Sequence, residues 1–198
     1  MNKNESARDK MVKAKFTDIM LSKFKKLKGS RLICYLTDDI NGGDISYCKI
    51  GIETDNGCLD VYNEETPVDW FDTEGEKAKE DISVFSCKER KNSKEFIPYI
   101  SDSGIIKHNV NELINSIKIV SDYIKVNNGE YSIDCDIAII IQTDSHEYIF
   151  SRGWFFSEEI YVSVDNDINN IYSVDDEIKA WNNDGDYGVE IQRIVKEI

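Results

Sequence analysis

The side chains that could carry acid–base or nucleophilic chemistry are few in this sequence. Histidine occurs twice, as His108 and His146, and a Ser-His-Asp or Cys-His site would have to use one of them. The chain has no GxSxG, GxGxxG, GxxxxGK[ST] or HExxH motif. Asp and Glu number 38, so a catalytic carboxylate pair stays open, but abundance alone gives no reason to expect one. We therefore predict a protein that is not an enzyme and holds no cofactor.

One segment has the ligand spacing of a calcium loop. Asp165, Asp167, Asn169 and Asp176 stand at positions one, three, five and twelve, where such loops place oxygen ligands. Position six is Asn170 instead of Gly, position twelve is Asp instead of Glu, and the preceding residues have the pattern of a strand. The sequence therefore favours a polar turn over a metal site.

The five cysteines indicate neither a disulfide framework nor a zinc site, because they are scattered, odd in number and never spaced as CxxC. No apolar run approaches the roughly 18–20 residues of a membrane span. The N-terminal MNKNESARDK is not followed by the apolar segment of a secretory signal. We expect reduced thiols and a cytoplasmic protein that does not bind a membrane.

Charge is unevenly distributed along the chain. The formal net charge is −14, but residues 1–31 hold ten Lys/Arg and three Asp/Glu, a net of +7, and the remainder carries −21. Such an acidic body repels nucleic-acid phosphates and attracts basic proteins. The alternative is that the acidic residues only keep the protein soluble. We predict a basic protein partner and no nucleic-acid partner.

The stretch IGIETDNGCLDV predicts a β-hairpin with Asn56-Gly57 as its two loop residues. In that register Glu53 lies directly opposite Asp60, an arrangement that costs up to about 1 kcal/mol. Lysines or arginines from a partner, or from the chain's own basic helix, would offset that cost. We therefore interpret the acidic face of the hairpin as a recognition surface.

Tryptophans beside acids extend this prediction, because aromatic anchors with a charged rim are typical of protein interfaces. Core tryptophans are the alternative. The predicted partner-binding residues are Glu53, Asp55, Asp60, Trp154, Glu158, Asp165, Asp167, Asp184 and Asp186.

Two amphipathic helices are predicted to support these residues. The first spans residues 6–28 and ends at Gly29; its apolar stripe is Val12, Phe16, Ile19, Met20, Phe24 and Leu27. The second spans residues 110–126, with Asn109 as its N-cap and Glu112 completing a capping box. The first helix could lie on a membrane or a partner, but packing against the chain's own sheet is favoured.

Alternating apolar residues predict strands at 31–37, 46–54, 58–62, 82–88, 131–143, 146–152, 158–164 and 189–195. The run Ile137–Ile141 is apolar at every position, which indicates a strand covered on both faces. We predict an α+β fold of antiparallel meander sheets packed with the two helices. Residues 1–104 and 105–198 would form two related helix-plus-meander halves, which could pack as one unit; chance similarity of the hairpins is the alternative.

The chain resembles immunity proteins of bacterial polymorphic-toxin systems in its size, its acidity and its meanders, such as ETDNGCLDVYNEETPVDWFD and YIFSRGWFFSEEIYVSV. The resemblance implies a non-catalytic inhibitor that binds a cognate, basic toxin domain. The alternatives are a nucleic-acid mimic from a mobile element, a small enzyme using carboxylates or a divalent ion, and a lipid-surface protein. The oligomeric state does not follow from the sequence.

Overall fold

The protein is folded mainly as β-sheet. The computed structural model describes residues 10–40, 42–71, 77–100, 102–126, 130–182 and 188–198. Within these residues eleven strands join into one sheet, and the helices are short. The expected α+β fold with an N-terminal and a central amphipathic helix is therefore wrong. No helix in the described part of the chain is long and apolar enough to cross a membrane.

The elements follow one another as a series of antiparallel hairpins. The strands are β1 Met11–Ala14, β2 Arg31–Asp38, β3 Ile45–Tyr47, β4 Lys49–Thr54, β5 Gly57–Phe71, β6 Lys77–Arg90, β7 Ile105–Val126, β8 Tyr131–Thr143, β9 Glu147–Arg152, β10 Glu159–Val164 and β11 Glu190–Glu197. The helices are α1 Asp18–Lys25, α2 Ile168–Ile171 and α3 Val174–Asn182. Every strand predicted from alternation overlaps one of these strands, because alternation reflects the local pleat.

The sheet folds back on itself at two places, within β7 and at the junction of β3 with β4. Its order is β3-β10-β9-β8-β7-β2-β4-β5-β6, with β1 added beside β8 and β11 beside β7. The first half of β7 pairs with β2, and its second half pairs with β8 and β11. Likewise β3 pairs with β10 and β4 with β2, and only Cys48, at a φ of 58°, separates β3 from β4.

Two apolar cores result from this arrangement. The first lies between the layers and joins side chains of β2, β4, β5 and β6 to those of β7–β10. The second covers the other face of β7 and β8 and includes side chains of β1, α2 and α3. Residues Ile139 and Ile141 face the first core, whereas Ile137 and Ile140 face the second. The prediction that this strand is covered on both faces is confirmed.

Within residues 10–28, the predicted N-terminal helix over 6–28 is replaced by β1 and the short helix α1, and residues 6–9 lie outside the described residues. Strand β1 pairs in parallel with β8, and Val12 and Ala14 are buried in the second core. The Phe16 N–H donates to the Asp136 carboxylate at 2.8 Å, and Thr17 then caps α1 by accepting from the Met20 N–H. A helix running through these positions would leave the edge of β8 without its partner strand.

The central helix predicted over residues 110–126 is the second half of β7. One β-bulge lies in this strand at Asn115, which has no partner in β8, so Ile114 and Ile117 both face the first core although they are three residues apart. Val120 and Ile124 face the second core, on the other side of the strand. The bulged strand therefore produces a helix-like pattern in the sequence.

The division at residue 104 into two halves stays a prediction. Strands from both predicted halves lie side by side in the sheet, because β7 pairs with β2 and β10 pairs with β3. Since β7 is a strand, the halves do not share the expected helix-plus-meander form.

Candidate recognition surface

The hairpin β4–β5 turns one residue earlier than predicted. Thr54 pairs with Gly57, so Asp55 and Asn56 form the loop, and Glu53 faces Cys58 instead of Asp60. Asp55 is held to β2 by two hydrogen bonds: its carboxylate accepts from the Arg31 N–H at 2.8 Å, and its own N–H donates to the Arg31 carbonyl at 3.1 Å. The predicted direct opposition of the two carboxylates is therefore wrong.

Glu53 and Asp60 nevertheless share a face of the hairpin, and both are buried. The Arg90 guanidinium donates to Asp60 at 2.7 Å and to Glu53 at 3.2 Å, and the Lys49 ammonium lies 2.9 Å from Asp60. The Phe96 ring covers both cations, at 4.7 Å from Lys49 and 5.5 Å from Arg90. The cations that meet these acids belong to β4 and β6, so this face is an internal charge network in which the two predicted partner-binding carboxylates are not exposed.

The other predicted partner-binding residues occupy separate parts of the surface. Asp55 is exposed at the hairpin loop, and Trp154 is exposed with its ring against Phe156 at 5.1 Å. Glu158 and Asp165 flank opposite ends of β10, roughly 20 Å apart at about 3.3 Å per residue. They do not form one patch.

The loop after β10 uses its acids for local structure. Asp167 caps α2 by accepting from the Asn169 N–H, Asp165 accepts from the Glu147 N–H, and Asp176 accepts from Lys179. Among the described residues no three His, Cys, Asp or Glu side chains are grouped as a metal site would require. Asp184 and Asp186 lie outside the described residues.

A different surface combines exposed apolar side chains with acids that form no ion pair to any residue the structure describes. The connection between β6 and β7 exposes Ile97, Tyr99 and Ile100, with 63% of Ile97 and 51% of Tyr99 accessible. Ile40 and Ile105 are exposed where β2 and β7 meet, and Gly104 holds these ends together by donating its N–H to the Asp39 carboxylate at 2.7 Å. We name this the apolar–acidic surface; it comprises Ile40, Ile97, Tyr99, Ile100 and Ile105 with the acids Asp39, Glu64, Glu65, Asp102 and Glu158.

Tyr99 is held at this surface by its neighbours in β3 and β4. Its ring contacts Tyr47 at a centroid distance of 5.8 Å, and the Lys49 ammonium donates to the Ile97 carbonyl at 3.1 Å. Electrostatic interaction with the Cys48 side chain, then with Glu158, raises the pKa of Tyr99 above its ordinary value. This side chain is therefore a neutral anchor in an acidic surrounding.

Glu158 links the aromatic and acidic parts of the surface. Its carboxylate accepts from the Tyr47 hydroxyl at 2.5 Å and from the Glu65 N–H at 3.3 Å. Partial burial opposes ionisation, but the hydrogen bonds from Tyr47, Cys48 and Glu65 hold the pKa of Glu158 below its ordinary value. Glu158, predicted from the sequence, is thus ionised and oriented at this surface.

The remaining members of the surface are absent from the predicted partner-binding residues, although part of the surface could have been found from the sequence. The signal was present in the five consecutive residues Phe96-Ile97-Pro98-Tyr99-Ile100, an apolar run inside an otherwise polar segment. Phe96 and Pro98 are buried and the three residues between and after them are exposed, so the run is anchored at two points.

The described nucleophile candidates are poorly suited to covalent chemistry. Burial raises the pKa of Cys34 to about 12 and the pKa of Cys87 and Cys135 to about 11, which keeps these thiols protonated at neutral pH. His108 stacks on Tyr35 at 4.3 Å, and burial lowers its pKa. His146 lies at the β8–β9 turn and binds Glu112 at 2.7 Å.

In comparisons with known proteins, no family model, no curated protein and no solved structure matches this chain.

Proposed function

We propose that the protein is a non-catalytic binding protein that neutralises a basic toxin domain, acting as an immunity protein. The observation that carries this proposal is the apolar–acidic surface, which exposes Ile97, Tyr99 and Ile100 with the carboxylates of Glu158, Glu64 and Glu65 close enough to act on the Tyr99 hydroxyl. Protein interfaces commonly combine an apolar, aromatic centre with a polar rim, and a few central residues supply most of the binding energy.

Charge complementarity argues for a basic partner. Unlike Glu53 and Asp60, the carboxylates of Glu64, Glu65 and Asp102 form no ion pair with any residue that the structure describes. The chain as a whole carries a net charge of −14. Unpaired surface acids accelerate association with a cationic partner and disfavour partners of the same sign.

The test begins with affinity capture of the tagged chain from nuclease-treated lysate of its native host, washed at increasing salt. The captured protein is then purified and titrated with wild-type chain and with Tyr99→Ala, while its own toxicity or enzymatic activity is recorded. We expect one basic protein to be inhibited stoichiometrically. Tyr99→Ala should weaken its binding by about 2 kcal/mol, or ~30-fold in Kd.

Variants of the surface acids test the effect of charge on the association rate, separately from the contribution of Tyr99 to affinity. The double variant Glu64→Gln/Glu65→Gln should slow association and reduce its salt dependence, whereas Asp175→Asn, an exposed acid in the first turn of α3, is the matched control and should do neither. A captured partner whose activity is unchanged by binding, or whose affinity is insensitive to Tyr99→Ala, would contradict the proposal. A host nucleic-acid-binding protein as partner would favour the nucleic-acid-mimic alternative.

A further inference from the structure

A second surface feature has the opposite charge. A cleft of about 560 Å³ lies between the C-terminal end of α1, the β4–β5 loop and the end of β6. Its lining includes four cations, Lys23, Lys26, Arg90 and Lys91, and one carboxylate, Glu89. In an acidic chain, this concentration of cations around a concave site requires its own explanation.

Two of the four cations are already neutralised. Arg90 is bound to Asp60 and Glu53, and Lys26 pairs with Glu89 at 3.0 Å. The Lys23 ammonium donates to the Cys87 carbonyl oxygen at 3.2 Å, and it forms no ion pair within the described chain. Lys91 is exposed and likewise has no carboxylate partner among the described residues. The cleft therefore keeps two ammonium groups free for an anion.

The chemistry of the lining narrows the class of anion. Arginine provides a planar fork that suits carboxylate and phosphate alike, and the fork of Arg90 is occupied by acids of the chain itself. Lysine ammonium groups act as point charges and bind phosphates in many orientations. The rest of the wall is small or aliphatic, with Leu27, Leu59 and Cys58, and no aromatic ring lines the cleft for base stacking.

We propose that this cleft, which we call the lysine cleft, binds a phosphorylated small molecule carrying at least two negative charges. Lys23 and Lys91 hold the phosphate oxygens, and Leu27 and Leu59 contact the uncharged part of the ligand. The site is separate from the apolar–acidic surface, so this inference stands or fails independently of the toxin-binding proposal.

Cys58 provides the readout, because it lines the cleft and is partly accessible while the other four cysteines are buried. The experiment measures the rate of Cys58 alkylation by the neutral reagent N-ethylmaleimide, by mass spectrometry of the intact and digested chain. Inorganic phosphate, pyrophosphate and ATP are the probes, and succinate at matched ionic strength is the control anion. The probe that protects Cys58 from alkylation shows whether the cleft binds free phosphate, pyrophosphate or a nucleotide phosphate.

We expect at least one phosphate probe to slow alkylation in a saturable manner, by about tenfold at a tenfold excess over its dissociation constant. Lys23→Gln/Lys91→Gln should abolish this protection, and the single exposed variant Lys91→Gln should weaken it. Lys79→Gln, a lysine of β6 outside the cleft, should retain it. Equal protection by succinate, no saturation with any phosphate probe, or full protection in the double variant would overturn the proposal.

Discussion

Glu53 and Asp60 show how a pair of acids can look like a recognition surface and yet lie inside the protein. Arg90 and Lys49 neutralise them, and Phe96 covers the cations. Burying the four charges costs solvation free energy that only close, hydrogen-bonded partners repay. Removing one partner therefore has a large effect.

Arg90→Met should lower the free energy of unfolding by about 3–5 kcal/mol, because it leaves two buried carboxylates with Lys49 as their one remaining cation. Urea denaturation followed by tryptophan fluorescence measures the change. Lys79→Met, which removes an exposed ion pair to Asp69, is the matched control and should change stability by less than about 1 kcal/mol. A loss below about 1 kcal/mol for Arg90→Met would show that the network does not support the fold.

His146 should make stability depend on pH. Its hydrogen bond to Glu112, with Asp165 at 3.7 Å, raises the pKa of His146; Tyr148 and Thr143 donate to the same Glu112 carboxylate. A raised folded-state pKa means that the protonated ring stabilises the fold fully below its unfolded pKa of about 6.5. That stabilisation is lost as pH rises through the folded-state pKa.

His146→Gln should therefore lower Tm more at about pH 5.5 than at about pH 8.5, as measured by calorimetry. His108→Gln is the informative comparison, because burial lowers the pKa of His108. A lowered pKa makes the wild-type ring unfavourable in acid, so the loss of Tm on this substitution should be larger at the higher pH. The same pH trend in both variants would refute the assigned shifts.

At the scale of elements, the apolar pattern of the segment before β2 does not match the burial of its side chains in the fold. The stripe of the predicted long helix included both Ile19 and Phe24. In the fold, α1 is short, Phe24 is 0% exposed in the first core and Ile19 is 73% exposed. The two positions thus distinguish the observed element from the predicted one.

Phe24→Ala should cost about 3–5 kcal/mol of unfolding free energy, because it empties a fully buried site that also contacts the Phe16 ring at 5.2 Å. Ile19→Ala should cost less than about 0.5 kcal/mol. Chemical denaturation of both variants measures the difference. Comparable losses at the two positions would indicate that both face the core, as the long helix requires.

At the scale of the whole molecule, net charge opposes compactness. With a formal charge of −14, the surface acids repel one another at pH 7, and salt screens this repulsion. The buried network around Arg90 is shielded from salt by its burial. The overall response to salt should therefore follow the surface charge.

Raising NaCl from about 10 mM to about 0.3 M at pH 7 should increase Tm by roughly 2–4 °C, the shift expected for about 1 kcal/mol in a chain of this size. Differential scanning calorimetry measures it. Near pH 5, close to the isoelectric point of about 4.6, the same salt range should leave Tm nearly unchanged. A Tm that falls with salt at pH 7 would mean that surface ion pairs outweigh the repulsion.

The sequence by itself determined the charge and most of the strands, but not β1 or β7. Alternation placed β2, β8, β9 and β10, and the uninterrupted apolar run in β8 indicated burial on both faces, because side-chain direction in a strand is a local property. The acidic balance follows from composition, whereas the ionised state of Glu158 depends on hydrogen bonds from Tyr47 and Glu65, which are distant in the chain.

Only the tertiary structure decided which partners those residues meet. The bulge of β7 depends on its pairing with β8, Arg90 reaches Glu53 and Asp60 across three strands, and Tyr99 meets Tyr47 of β3 through folding of the sheet. Each depends on contacts between residues far apart in the chain, and hydrophobic periodicity carries no information about such contacts. Packing therefore determines whether an acid is a buried ion-pair partner or part of an interface.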